Sequence, residues 1–81
     1  MEQKSHELTV KSTVIDWQAQ TLEITSTTGN KHTVPLDQSI HVTMVGYPDR
    51  EQKTMQAREL EPYMSRGYII EQISFEEEKT N

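Results

Sequence analysis

Two imidazoles and a carboxylate fall within ten residues of each other, at His32, Asp37 and His41. These side chains are ordinary ligands for zinc and related ions. If the chain turns near Leu36–Gln38, His32 and His41 approach across two strands with Asp37 beside them. That spacing fixes no third ligand, so both are read as ordinary histidines, with no metal and no cofactor implied. His6 lies towards one end.

Catalytic chemistry finds little to work with. A nucleophile needs an adjacent base and a third group to orient it. The serines and threonines lie in no G-x-S-x-G context, and no glycine-rich phosphate cradle occurs. Glu61 and Glu71 are the acids that could pair as acid and base. A domain of 81 residues with a thin core rarely encloses a pocket of several hundred Å³. The chain is read as non-enzymatic.

Binding chemistry is better represented. Trp17, the only tryptophan, sits at a bend in "IDWQAQ", where it either closes the end of the core or stands out as an anchor for a partner. Tyr47 and Arg50, in "MVGYPDREQK", are residue types favoured at interface hot spots. Glu76, Glu77 and Glu78 offer an acidic contact for a basic partner, or else a solvated end that stops the last strand from pairing further. A second grouping, Arg50, Lys53, Arg58, Tyr63, Arg66 and Tyr68, mixes cations with aromatic rings as single-strand nucleic-acid sites do. Glu51, Glu59 and Glu61 are interleaved with it. The net charge of −5 also repels phosphate backbones.

The elements that must position these residues are short and extended. "HELTVKSTVID" alternates, with Leu8, Val10, Ser12 and Val14 on one face and Thr9, Lys11, Thr13 and Ile15 on the other. "TLEITST" turns Leu22 and Ile24 inward. "TTGNK" supplies Gly29 and Asn30 for a hairpin turn. "KHTVPL" is a third strand that Pro35 ends or places at an edge. "SIHVTMVG", with Ile40, Val42 and Met44 on one face, is a fourth. Four neighbouring segments suggest an up-and-down antiparallel meander. Gly46, Pro48 and Asp49 form the next turn.

Residues 50–58 read either as a kinked helical start or as a fifth strand pairing back on the fourth, and the extended reading is taken. Pro62 is tolerated only in the first turn of a helix. It therefore confines the helix to about Glu59–Arg66, with Gly67 just past its end. "GYIIEQISF" returns to the sheet, with Ile69, Ile73 and Phe75 on one face and Tyr68 and Ile70 on the other.

The expected fold is a single α+β domain over 1–81, mainly antiparallel, with flexible ends at 1–6 and 77–81. It is either a small SH3- or OB-like partial barrel or an open sheet with one helix. Leu, Ile, Val and Phe number only 16, so the core has little margin and a homodimer through a sheet edge would help it. Cysteine is absent, no run is apolar enough to span a membrane, and the polar N-terminus lacks a signal peptide's apolar stretch. These features suggest a cytoplasmic protein. The function expected is a non-catalytic protein-interaction module, a regulator or inhibitor of a larger partner through Trp17, Tyr47, Arg50 and Glu76–Glu78. Small acidic proteins of phage or mobile-element type often act in this way. The alternatives are a nucleic-acid-binding small barrel and a homo-oligomer that sequesters a small ligand.

Overall fold

A computed structural model of the chain describes residues 3–46 and 50–78. The elements follow as β1 (Gln3–Asp16), β2 (Thr21–Ser26), β3 (Lys31–Pro35), β4 (Ser39–Val45) and β5 (Arg50–Gln56). A 3₁₀ turn (Ala57–Glu59), α1 (Leu60–Ser65) and β6 (Ile69–Glu78) complete them. All strand pairs are antiparallel, in the spatial order β3-β2-β1-β6-β4-β5.

The sheet is open and carries one short helix, as the second of the two expected architectures has it, and the SH3- and OB-like partial barrel does not hold. β3 and β5 are its edges. Just past these edge strands, Ala57 N–H donates to the Gln38 carbonyl (2.9 Å) and Arg58 N–H to the Leu36 carbonyl (3.0 Å), which ties the 3₁₀ turn after β5 to the crossover after β3. The four-stranded meander also needs correcting. β1, β2 and β3 follow one another, but β4 lies between β5 and β6. Leu36, buried in the crossover, anchors the chain as it leaves β3. β4 then places Val42 beside Ile73 and Met44 beside Ile70, a more apolar neighbour than β3 offers.

β1 is long because it serves two ladders. Its first half pairs with β6 from Gln3↔Glu78 to Thr9↔Gln72, and its second half pairs with β2 from Val10↔Ser26 to Asp16↔Thr21. The register shifts between Val10 and Ser12, leaving Lys11 as one extra residue, a β-bulge that bends the strand. The bulge also changes which side chains face inward. Leu8 and Val10 pack on the core before it and Ile15 after it, while Val14 points out. Uninterrupted alternation places Val14 with Leu8, and the bulge corrects this.

A second bulge sets β6. Met44 faces Ile70 but Thr43 faces Gln72, so Glu71 has no partner on β4. The faces expected for this strand are therefore corrected. Ile70, Ile73 and Phe75 are buried, and Ile69 is 64% exposed.

The turns follow local chemistry. Asp16 Oδ1 accepts from the backbone N–H groups of Gln18 and Ala19, each at 3.0 Å, an Asx-type turn. Gln20 closes that turn at φ 61°. Gly29 takes φ 93° in the β2–β3 hairpin, as the sequence requires. Glu59 accepts from the Gln56 N–H at 3.0 Å at the entry to the helical segment. Pro62 sits in the first turn of α1. At the other end Gly67, at φ 89°, donates to the Met64 carbonyl and Tyr68 to that of Tyr63, both 3.1 Å, which is a Schellman cap. The helix expected from Pro62 and Gly67 is thus present, and 50–56 is the expected extra strand. Residues 3–6 and 77–78, expected as flexible ends, belong to the β1–β6 ladder.

The core lies on the inner face of the bent sheet. It joins Leu22, Ile24 and Val34 from β2–β3 with Ile40, Val42, Met44, Ile73 and Phe75 from β4–β6, and Leu60 of α1 lies among them. Met64 covers the inner face of β1, where the Thr13 hydroxyl donates to its sulfur at 2.9 Å.

Candidate functional site

The residues expected to bind a partner do not converge. Trp17 stands at the β1–β2 turn, 53% exposed, so it is not a lid over the core. Its backbone is fixed by the Asp16 turn and by Gln20 Nε2, which donates to the Trp17 carbonyl at 2.6 Å. Val14, 57% exposed, belongs to the same hairpin.

Glu76 lies at the other end of β1, opposite Ser5, and its carbonyl accepts from Gln38 Nε2 at 2.7 Å. Glu77 and Glu78 face Lys4 and Gln3 in the same ladder, so the acidic run does not stop pairing. Strand pairing is a backbone matter, and the polar stretch at 3–5 supplies the N–H and C=O groups it needs. One patch cannot hold both Trp17 and the acidic end.

Arg50 lies at a different corner. Its guanidinium meets Glu71 twice, Nε to Oε1 at 3.2 Å and Nη2 to Oε2 at 3.4 Å. The bulge at Glu71 makes this contact available. In register with Arg50 is Val45, and beyond it Ile69. Ile69 is therefore an exposed apolar side chain in the same cross-strand row as Arg50, with Val45 between them, a placement that sequence phase conceals because it counts Ile69 with the core. Two adjacent isoleucines before a polar pair were the available signal for a phase change. Tyr47, the third expected anchor, lies outside the described residues, as do Pro48 and Asp49.

The cationic-aromatic grouping comes together in part. Lys53 Nζ sits 5.9 Å from the centre of the Tyr63 ring, and Tyr63 meets Tyr68 edge-to-face at 5.4 Å. The Tyr68 ring lies so close over Gly46 that a methyl group there would overlap it. Glu51 pairs with Lys53 at 3.5 Å. Tyr63 first, and then Glu51, raise the Lys53 pKa above its ordinary value. Arg58 and Arg66 are exposed on the 3₁₀ turn and at the end of α1. Lys53 and Arg50 thus each already face a carboxylate, which lowers what they can offer a phosphate chain.

The histidines are rearranged relative to expectation. His41 is on the outer face of β4, where Nδ1 and the Thr54 hydroxyl are 2.8 Å apart. His32 is on the inner face of β3, and the ring near it is that of His6, with centres 5.3 Å apart. The pairing of β4 with β5 and β6 is what separates His41 from His32.

Around His41 the outer face forms an open polar hollow of about 380 Å³, lined by Glu7, Gln52, Gln72 and Ser74 among others. Ser74 stands between Glu7 and His41 in register. The Nδ1 partner of His41 is a neutral hydroxyl rather than the carboxylate that orients a catalytic base. Among the described residues no group of three or more His, Cys, Asp or Glu side chains is placed to hold a metal. No described helix is long and apolar enough to cross a membrane. No protein-family model, curated protein or solved structure matches the chain.

Proposed function

We propose that this protein is a non-catalytic interaction module, a regulator or inhibitor that docks on a larger protein through the Trp17 turn. The observation that carries this reading is the exposure of that indole. The chain has few apolar side chains, and most of those described are buried or packed against the core, yet its largest stands 53% exposed on a turn whose backbone is hydrogen-bonded in place. Burying such a side chain in a partner's pocket contributes much and costs little ordering entropy, because the backbone beneath it is already fixed. Val14 is a further exposed apolar side chain on the same hairpin. Ile69 with Arg50 supplies a second contact of the same type, and the Glu76 end suits a basic surface elsewhere on the same partner.

The test is affinity capture from lysate of the native cell with wild-type bait and with Trp17→Ala, at about 300 mM salt, where phosphate contacts are strongly weakened. A protein held by wild type and lost by Trp17→Ala, with the melting temperature unchanged, supports docking through the indole. Equal capture by both baits removes Trp17 from the contact. Nucleic acid captured at low salt and lost at 300 mM overturns the reading in favour of the Arg50–Tyr68 region.

A further inference from the structure

We propose that two copies of this chain pair antiparallel through β5, about a two-fold axis at Gln52, and so join their sheets into one. This pairing does not depend on docking through Trp17, which belongs to the β1–β2 turn. β5 is the better of the two edges. It keeps register with β4 from Arg50 to Gln56 without a bulge and contains no proline. β3 is shorter and ends at Pro35, which has no N–H to donate. Among the described residues nothing pairs with the far side of β5. A regular edge of this kind is a template for another strand.

Two hydrogen bonds establish which backbone groups face outward. Ala57 N–H donates to the Gln38 carbonyl at 2.9 Å, continuing the β4–β5 register by one residue. Its neighbour Gln56 donates its N–H away from β4, to the Glu59 carboxylate at 3.0 Å. Bonding alternates along an antiparallel strand, so Glu51, Lys53 and Met55 bond to β4. Arg50, Gln52 and Thr54 then present their N–H and C=O groups to the edge.

Charge selects the register. Glu51 and Lys53 lie on the inner face, opposite the buried Met44 and Val42. An axis normal to the sheet at Gln52 sets Arg50 opposite Thr54 of the second copy, both with outward backbone groups. Glu51 then stands opposite the second copy's Lys53 in a non-hydrogen-bonded pair, where side chains lie closest. Within one chain Glu51 and Lys53 already pair at 3.5 Å. That contact is kept, and the copy adds its own pair in reverse order, so the four charges alternate in sign. An axis at Lys53 opposes the two lysines, and there or at Thr54 the pairing needs the Gln56 N–H, which Glu59 holds. An axis at Glu51 opposes the two glutamates. The edge is thus self-complementary in one register, as an isologous contact requires.

The experiment measures molar mass by light scattering on the full chain over a wide range of concentration. It compares wild type, Glu51→Lys, Lys53→Glu, the chain carrying both changes, and Lys31→Glu on the β3 edge. Wild type should rise from the chain mass to twice that mass. Either single reversal makes all four charges alike and should abolish the dimer. An equimolar mixture of the two, and the chain carrying both, should recover it, and Lys31→Glu should behave as wild type. Amide exchange of the wild type needs no variant to fold. The Arg50, Gln52 and Thr54 amides should exchange freely when dilute and slow as the dimer forms. A wild type that stays monomeric, a single reversal that dimerises equally well, or a mixture that stays monomeric overturns the proposal. So does loss of the dimer in Lys31→Glu, or exchange at those three amides that ignores concentration.

Discussion

At the scale of single residues, two backbone positions are worth testing because the side chains there are at odds with their surroundings in opposite ways. Gly46 has the room of a glycine only because the Tyr68 ring fills the space above it. Gly46→Ala must push that ring away and disturb its edge contact with Tyr63. The expected cost is about 1–3 kcal/mol, the range for overpacking. In a Tyr68→Ala background the same change should cost almost nothing, and urea melts of the four-protein cycle would read this coupling directly. Additive effects would mean that the ring moves freely.

Gln20 is the reverse case, a side chain where φ 61° favours glycine. Left-handed backbone costs a residue with a Cβ about 1–2 kcal/mol. Part of that relief is cancelled by the extra freedom glycine gives the unfolded chain. Gln20→Gly should therefore raise stability by about 0.5–1 kcal/mol, or a few degrees in Tm for a domain of this size. A fall would show that the bond from Gln20 Nε2 to the Trp17 carbonyl outweighs the strain.

Among the elements, β1 and β2 respond differently to losing one residue. β1 already carries a surplus residue at Lys11, so its deletion leaves Leu8, Val10 and Ile15 facing inward and only straightens the strand. β2 has no surplus. Deleting Glu23 makes Leu22 and Ile24 adjacent and forces one of these fully buried side chains to the outer face. Exposing it costs about 1.5–3 kcal/mol before any loss of ladder bonds. Thermal melts of the two deletions should rank the β1 variant well above the β2 variant. The reverse order would mean that the bend is worth more than a core side chain.

The elements also show what the sequence makes legible. Alternation in "TLEITST" and "SIHVTMVG" marks strands, and Pro62 with Gly67 delimits the helix, because each is a local steric or burial effect. The bulges at Lys11 and Glu71 are not legible. An extra residue in a strand has no composition of its own, and it exists only relative to a partner that sequence order does not name. This is why alternation alone places Val14 and Ile69 on the wrong faces. Trp17 was legible as a notable residue, but its exposure was not, since a turn at that position serves a lid and an anchor equally well.

For the whole molecule, the consequence of β1 sharing is cooperativity. The body is elongated, 44 × 25 × 24 Å, with β2–β3 on one side of β1 and β6–β4–β5 on the other. The core nevertheless crosses between them, with Ile24 and Phe75 in one buried cluster. Neither side should open alone. Native-state hydrogen exchange of amides in the centre of β2 and the centre of β6 should then report one common opening free energy. Two distinct values would divide the molecule into separate units, each of marginal size.

β1 is joined to the remainder by the short turn at 17–20 alone, yet both ladders need it. Cut at that turn, the molecule becomes a lock and key of two peptides. The segment from Thr21 onward would hold an unfilled slot with strand edges on either side, and a synthetic Gln3–Asp16 strand would complete it. Split in this way, the chain becomes a complementation pair whose assembly switches folding on.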